Sequence, residues 1–142
     1  MLSVPFPTYE QEGYENMFLG KVGIFQIEDS RGCSLRCPFC SHASSSGRNQ
    51  RIGSSNHVVQ YLLFLQRRFG ATTFRFTGSS PTPAYLHEVA QYFADFPIDQ
   101  FTFSSFLYPR HESQCNFSLL KRGGFRAFFI GIESVDPMEL KI

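Results

Sequence analysis

The chain has 142 residues, a formal net charge of +1, 17 phenylalanines, 6 tyrosines and no tryptophan. That length suits one domain with a real core and excludes a complete eight-unit (β/α) barrel, which takes about 250 residues. Charged residues are only 18%, so the chain is not disordered, and its apolar runs, such as Leu62-Leu63-Phe64-Leu65, are far too short to span a bilayer.

Residues 1–20 lack clear periodicity, and Pro5, Pro7 and Gly13 mark them as an arm or linker ahead of a domain over 21–142. Met1-Leu2-Ser3-Val4-Pro5 shows no basic segment followed by an apolar stretch, so no secretory signal is read and a cytoplasmic protein is expected. Val22 to Ile27 reads as a short buried strand, and a long polar loop follows through Gly53. Ser55 or Asn56 is the expected cap of a helix from His57 to Phe69, whose apolar residues recur every three or four positions until Gly70 stops it. Thr72 to Thr77 has strand character, and Gly78-Ser79-Ser80-Pro81 makes a turn. Thr82 then Pro83 opens a helix to about Phe96, which Pro97 closes. Gln100 to Ser105 is a third strand, Phe117 to Arg122 a short helix, and Phe125 to Glu133 a fourth strand. Asp136-Pro137 reads as the cap of one more helix.

This βαβαβαβα alternation argues for a parallel α/β sheet, whose functional residues gather at the strands' C-terminal ends. Those ends hold the loop after Ile27, Gly78-Ser79-Ser80, Ser104-Ser105 and Glu133-Ser134. Charge is uneven: residues 1–29 carry five acids against Lys21, whereas residues 30–87 carry seven arginines and no acid. The arginines are either a solvated surface or an electropositive setting for thiolates and an anionic ligand. They are too sparse for a nucleic-acid patch.

Three of the four cysteines fall in Cys33-Ser34-Leu35-Arg36-Cys37-Pro38-Phe39-Cys40, spaced C-x3-C-x2-C. Clustering without a secretory signal points to metal or redox chemistry in a reducing compartment rather than to a disulfide scaffold. Three thiolates on one loop suit a [4Fe–4S] cluster with an open fourth iron. The alternative is zinc, with His42 or Cys115 as the fourth ligand. Cys115 otherwise reads as a small buried hydrophobe. His57, His87 and His111 read as surface residues, and Phe103, Phe106, Phe128 and Phe129 as core.

The cysteine motif, with Phe39 before its third cysteine and a strand just upstream, resembles the signature of radical S-adenosylmethionine (SAM) enzymes. Arg31-Gly32-Cys33 and Gly131-Ile132-Glu133-Ser134 are most similar to the branch often associated with cobalamin. The resemblance covers about residues 21–140 and implies a partial (β/α) barrel, about four β/α units of a (β/α)6 core. It further implies cluster ligation by Cys33, Cys37 and Cys40, and reductive cleavage of SAM to a 5′-deoxyadenosyl radical. A flavodoxin or ferredoxin would be the reductant, and a small molecule or macromolecule the substrate. Phe39 would lie against adenine, and Gly78, Ser79 and Ser80 would meet the SAM amino group, where the family often has an acid. Ser104 is either a binding residue or hydrated, and Glu133 and Ser134 would approach the methionine or ribose. The family's later strands are absent, so the chain is expected to be a fragment lacking the C-terminal half of the barrel or a truncated relative. With no cobalamin-type domain before residue 21, cobalamin binding is not expected. A metal-stabilised binding or assembly module is the alternative function.

Overall fold

A computed structural model describes residues 7, 23–35, 37–97, 99–136 and 138. The expected arm over 1–20 and the helix after Asp136 lie outside the described residues, apart from Pro7 and Met138.

Four short strands form one parallel sheet. The first, β1 (Ile24–Ile27), leads to a two-residue strand β2 (Ser30–Arg31), a five-residue helix α1 (His42–Ser46) and a second two-residue strand β3 (Arg51–Ile52). Then come helix α2 (Ser55–Phe69), β4 (Thr73–Phe76), α3 (Pro83–Phe93), β5 (Thr102–Phe106), a 3-10 helix (Pro109–Gln114), α4 (Phe117–Arg122) and β6 (Phe125–Phe129). The sheet runs β1-β4-β5-β6 with every neighbouring pair parallel, while β2 and β3 pair antiparallel. This is the α/β arrangement with a parallel sheet expected from the alternation of strand and helix signals, and the four strands do not close into a barrel.

Local chemistry sets the helix ends. The Ser54 hydroxyl accepts the His57 N–H, and Gly70 closes α2 in the left-handed region at φ 66°. The cap is therefore Ser54, not Ser55 or Asn56, which form the first turn instead. Thr82 caps α3 by accepting the Tyr85 N–H, with Pro83 beginning the helix. That helix ends at Phe93, three residues before the expected Phe96, and a Phe96-to-Phe93 backbone bond completes a turn before Pro97.

Period-two alternation decides which strand residues enter the core. Phe25, Ile27, Phe74, Phe76 and Phe103 are buried together with Leu62, Leu65, Leu86, Val89 and Leu120 from the helices. Ile24, Gln26, Thr73, Arg75, Thr102, Ser104 and Phe106 point to the opposite face, and none of them is buried. In β6 the register shifts at Phe103/Ser104, so Phe103 faces Phe125 whereas Ser104 faces Ala127 and Phe106 faces Phe129. The extra residue, Arg126, turns Ala127 and Phe129 onto the open face. Of the four aromatic residues assigned to the core, Phe103 is buried and Phe128 packs against it, but Phe106 and Phe129 stand on the open face. The last strand ends at Phe129 rather than Glu133, because its ladder partner β5 stops at Phe106.

Candidate functional site

The polar stretch after β1 is a closed excursion. Pairing of Ser30 with Ile52 and Arg31 with Arg51 brings its two ends together, and Gly53 N–H donates to the Asp29 carbonyl at 2.9 Å. Gly32 turns the chain into the loop at φ 79°, where a Cβ would meet the Asn49 and Gly47 carbonyls. Cys33 N–H donates to the Gly47 carbonyl at 3.0 Å, and Cys40 N–H to the Cys37 carbonyl at 3.2 Å. Cys33 and Cys37 are half-buried, Cys40 is exposed, and all three are free thiols. Phe39 is 67% exposed.

The turn after β4 docks on this loop. Thr77 N–H donates to the Ile27 carbonyl at 2.9 Å, and Gly78 N–H to Asp29 Oδ1 at 3.0 Å. Ser30 Oγ donates to the Ser79 carbonyl at 3.1 Å, and Ser79 Oγ donates to the Gly32 carbonyl. Gln50 Nε2 donates to Ser79 Oγ at 2.9 Å and to the Ser80 carbonyl at 3.2 Å. The Ser79 hydroxyl is thus held by the cysteine loop on both its donor and acceptor sides, whereas Ser80 Oγ is buried with no partner. Gly78 must be glycine, since a Cβ there would strike Ser30 and Asp29.

Asp29 is 1% exposed. Burial pushes its carboxyl up to about 6, against the Gly78 N–H that favours the charged form. Its Oδ2 and the Tyr85 hydroxyl are both buried without a partner, and burial together with the Asp29 charge raises the Tyr85 phenol.

The other expected site residues are more dispersed. Ser104 lies half-buried on the open face, while Ser105 is buried on the helical side. Glu133 is exposed and Ser134 half-buried; Ser134 Oγ accepts the Asp136 N–H at 3.0 Å, forming a local turn. Cys115 packs partly buried against the core, and burial raises its thiol. His87 is engaged in the fold, its Nε2 accepting the Asn116 N–H at 2.9 Å.

The chemistry of the donor set, three unoxidised thiols on one anchored loop at the strands' C-terminal end, fits a soft metal or an iron–sulfur group. Among the described residues, no three His, Cys, Asp or Glu side chains converge as a ligand set. No described helix is long and apolar enough to cross a membrane.

The fold has relatives among solved structures. The radical SAM methyltransferase TsrM of Kitasatospora setae, solved with tryptophan substrate and the SAM analogue aza-SAM, superposes at a TM-score of 0.74 with 20% identity. That match covers 97% of this chain and 26% of TsrM. TsrM with cobalamin and a [4Fe–4S] cluster gives 0.71 at 20% identity, over 90% of this chain and 25% of TsrM. The chain shares the TsrM fold. An uncharacterized methyltransferase of Pyrococcus horikoshii is 26% identical over 144 residues, 97% of this chain and 30% of the relative. No protein-family model matches. The chain therefore spans less than a third of the length of these proteins.

Within the fold shared with TsrM, two residues that sequence reasoning passed over organise the site. Asp29 and Gln50 tie the cysteine loop to the turn at Gly78-Ser79-Ser80. Asp29 follows a strand end, where polar residues commonly mark only its close, and Gln50 lies in a polar run without periodicity. Neither carried a signal until the topology placed β1 beside β4.

Proposed function

We propose that the chain is a radical SAM core segment of methyltransferase type, holding a [4Fe–4S] cluster through Cys33, Cys37 and Cys40. The observation that carries this reading is the placement of three free cysteines, spaced C-x3-C-x2-C, in the loop region that follows β1 of a sheet that shares the TsrM fold. When bound, such a cluster would supply the one electron that cleaves SAM to methionine and a 5′-deoxyadenosyl radical. The electron would come from a flavodoxin- or ferredoxin-type donor. The chain's part is to bind and orient. The Gly78-Ser79-Ser80 turn would offer carbonyl and hydroxyl acceptors to the SAM ammonium without adding an opposite charge. Phe39 supplies an apolar surface for adenine, and Glu133 and Ser134 face the methionine or ribose from the end of the sheet.

A second reading is a metal-stabilised assembly module, with zinc or a cluster only holding the loop. It is favoured by the Ser79 hydroxyl being engaged by Gly32 and Gln50. Anaerobic reconstitution with iron and sulfide, followed by EPR of the reduced protein with and without SAM, separates the two. The proposal expects a [4Fe–4S] signal that SAM shifts. A signal indifferent to SAM would leave the module reading, and stoichiometric zinc without iron uptake would remove the cluster. Cys37→Ala should abolish iron uptake while Cys115→Ala leaves the iron content unchanged; equal loss in both would overturn the ligand assignment.

A further inference from the structure

We propose that the open face of the sheet binds the carboxylate of a small apolar or aromatic acid through Arg75. This rests on the preceding reading only in taking the C-terminal ends of the strands as the reacting end.

Arg75 is the one charged residue within the four strands' open-face positions. Its neighbours in β4, Phe74 and Phe76, are buried in the core, and alternation turns Arg75 the other way. It is in register with Gln26 of β1 and Ser104 of β5. Ser104 is small enough for the long side chain to cross β5. The guanidinium carbon reaches 4.3 Å from the ring centroid of Phe129 and 5.9 Å from that of Phe106. Those two rings lie 5.6 Å apart and belong to the last residues of their strands, so they set the guanidinium at the cysteine-loop end.

Among the described residues, this cation has rings beside it but no acceptor. Arg75 Nε is buried without a partner, and no described carboxylate forms an ion pair with it. Two other arginines show the contrast: Arg31 pairs with Glu28 at 2.6 Å and Arg126 with Asp99 at 2.8 Å. A guanidinium steadied on aromatic faces presents a planar fork of donors, which matches a carboxylate in shape and charge. Phe106 and Phe129, 37% and 40% exposed, leave apolar surface beside it for the body of the acid. One arginine and one serine suit a monoanion; a phosphate carrying nearly two charges would call for more donors.

The test uses the full chain free of iron and SAM, so that failure of cluster loading and failure of this inference are read separately. Binding of phenylacetate and its neutral amide, phenylacetamide, is measured by ligand-observed NMR titration. The expected result is at least a tenfold preference for phenylacetate that disappears in Arg75→Gln and survives in part in Arg75→Lys. Circular dichroism checks the fold of both variants, and Arg75→Lys retains the charge if Arg75→Gln does not fold. A merely structural Arg75 would alter melting without creating or removing a preference for the acid. Equal binding of acid and amide by the unaltered chain, or a preference kept in Arg75→Gln, would overturn the proposal. Inorganic phosphate displacing phenylacetate at lower concentration than phenylacetate itself binds would overturn the carboxylate assignment.

Discussion

Asp29 is a carboxyl that the fold holds in the wrong medium for its charge. Burial raises its pKa from 3.8 to about 6, so the folded state binds the proton more tightly than the unfolded chain does. The linkage sign follows. The group's contribution is fully present below about pH 4 and is lost as pH rises through 6, a difference of about 3 kcal/mol. Asp29→Asn keeps a carbonyl oxygen for the Gly78 N–H and removes the buried charge at neutral pH. Its amide can also donate to the Tyr85 hydroxyl, which lacks a partner. Urea unfolding at a series of pH values should show the variant about 2–3 kcal/mol more stable at pH 7.5. It should also lack the decline between pH 4 and 6. Parallel pH profiles for the two proteins would show that Asp29 is not the titrating group. The costly aspartate has a place that explains it, since it joins the end of β1 to the turn that faces the cysteine loop.

At the scale of elements, that junction is a latch whose bonded residues lie 29 to 49 positions apart in the chain. Gln50 contributes two of its hydrogen bonds, and each is worth about 1 kcal/mol. Gln50→Ala should therefore lower stability by about 1–2 kcal/mol and speed limited proteolysis within residues 33–50, with cleavage elsewhere unchanged. Gly78→Ala drives a methyl group into Asp29 and Ser30, an overpacking cost of about 1–3 kcal/mol, measurable as a fall in melting temperature. The alternation of strands and helices was legible because α2 and α3 carry apolar faces at helical spacing and clear end signals in Gly70 and Thr82-Pro83. The latch was not. Strands of two residues leave no hydrophobic alternation to read, and Ser54, Ser55 and Asn56 offer similar capping chemistry side by side. The shift in β6 was equally hidden, because Phe125, Phe128 and Phe129 fit either face until β5 fixes their register. The cysteine motif stood out since its spacing is local, whereas Asp29, Gln50 and Arg75 gain meaning only from neighbours in space.

At the scale of the whole molecule, the sheet is covered by helices on one side among the described residues. Among the described residues, β1 and β6 are its two edges, and apolar side chains flank both. Ile24 on β1 is 58% exposed, and Ile130, directly after β6, is 46% exposed. Unpaired strand edges bordered by apolar groups favour pairing with another chain. The similar proteins are more than three times as long, and the strand edges are where a further segment or a second copy gains backbone pairing and apolar contact. The 142-residue chain by itself should then associate as its concentration rises, visible in sedimentation velocity as growth of species larger than the monomer. Ile24→Lys with Ile130→Lys places a charge at each edge, a device by which natural sheets resist pairing. Both positions are exposed, so the double variant should change stability by less than about 1 kcal/mol while lowering the association constant at least tenfold. Association unchanged by the two lysines would locate the contact away from the sheet edges. A monomer at every concentration would mean that the edges are already shielded within the chain.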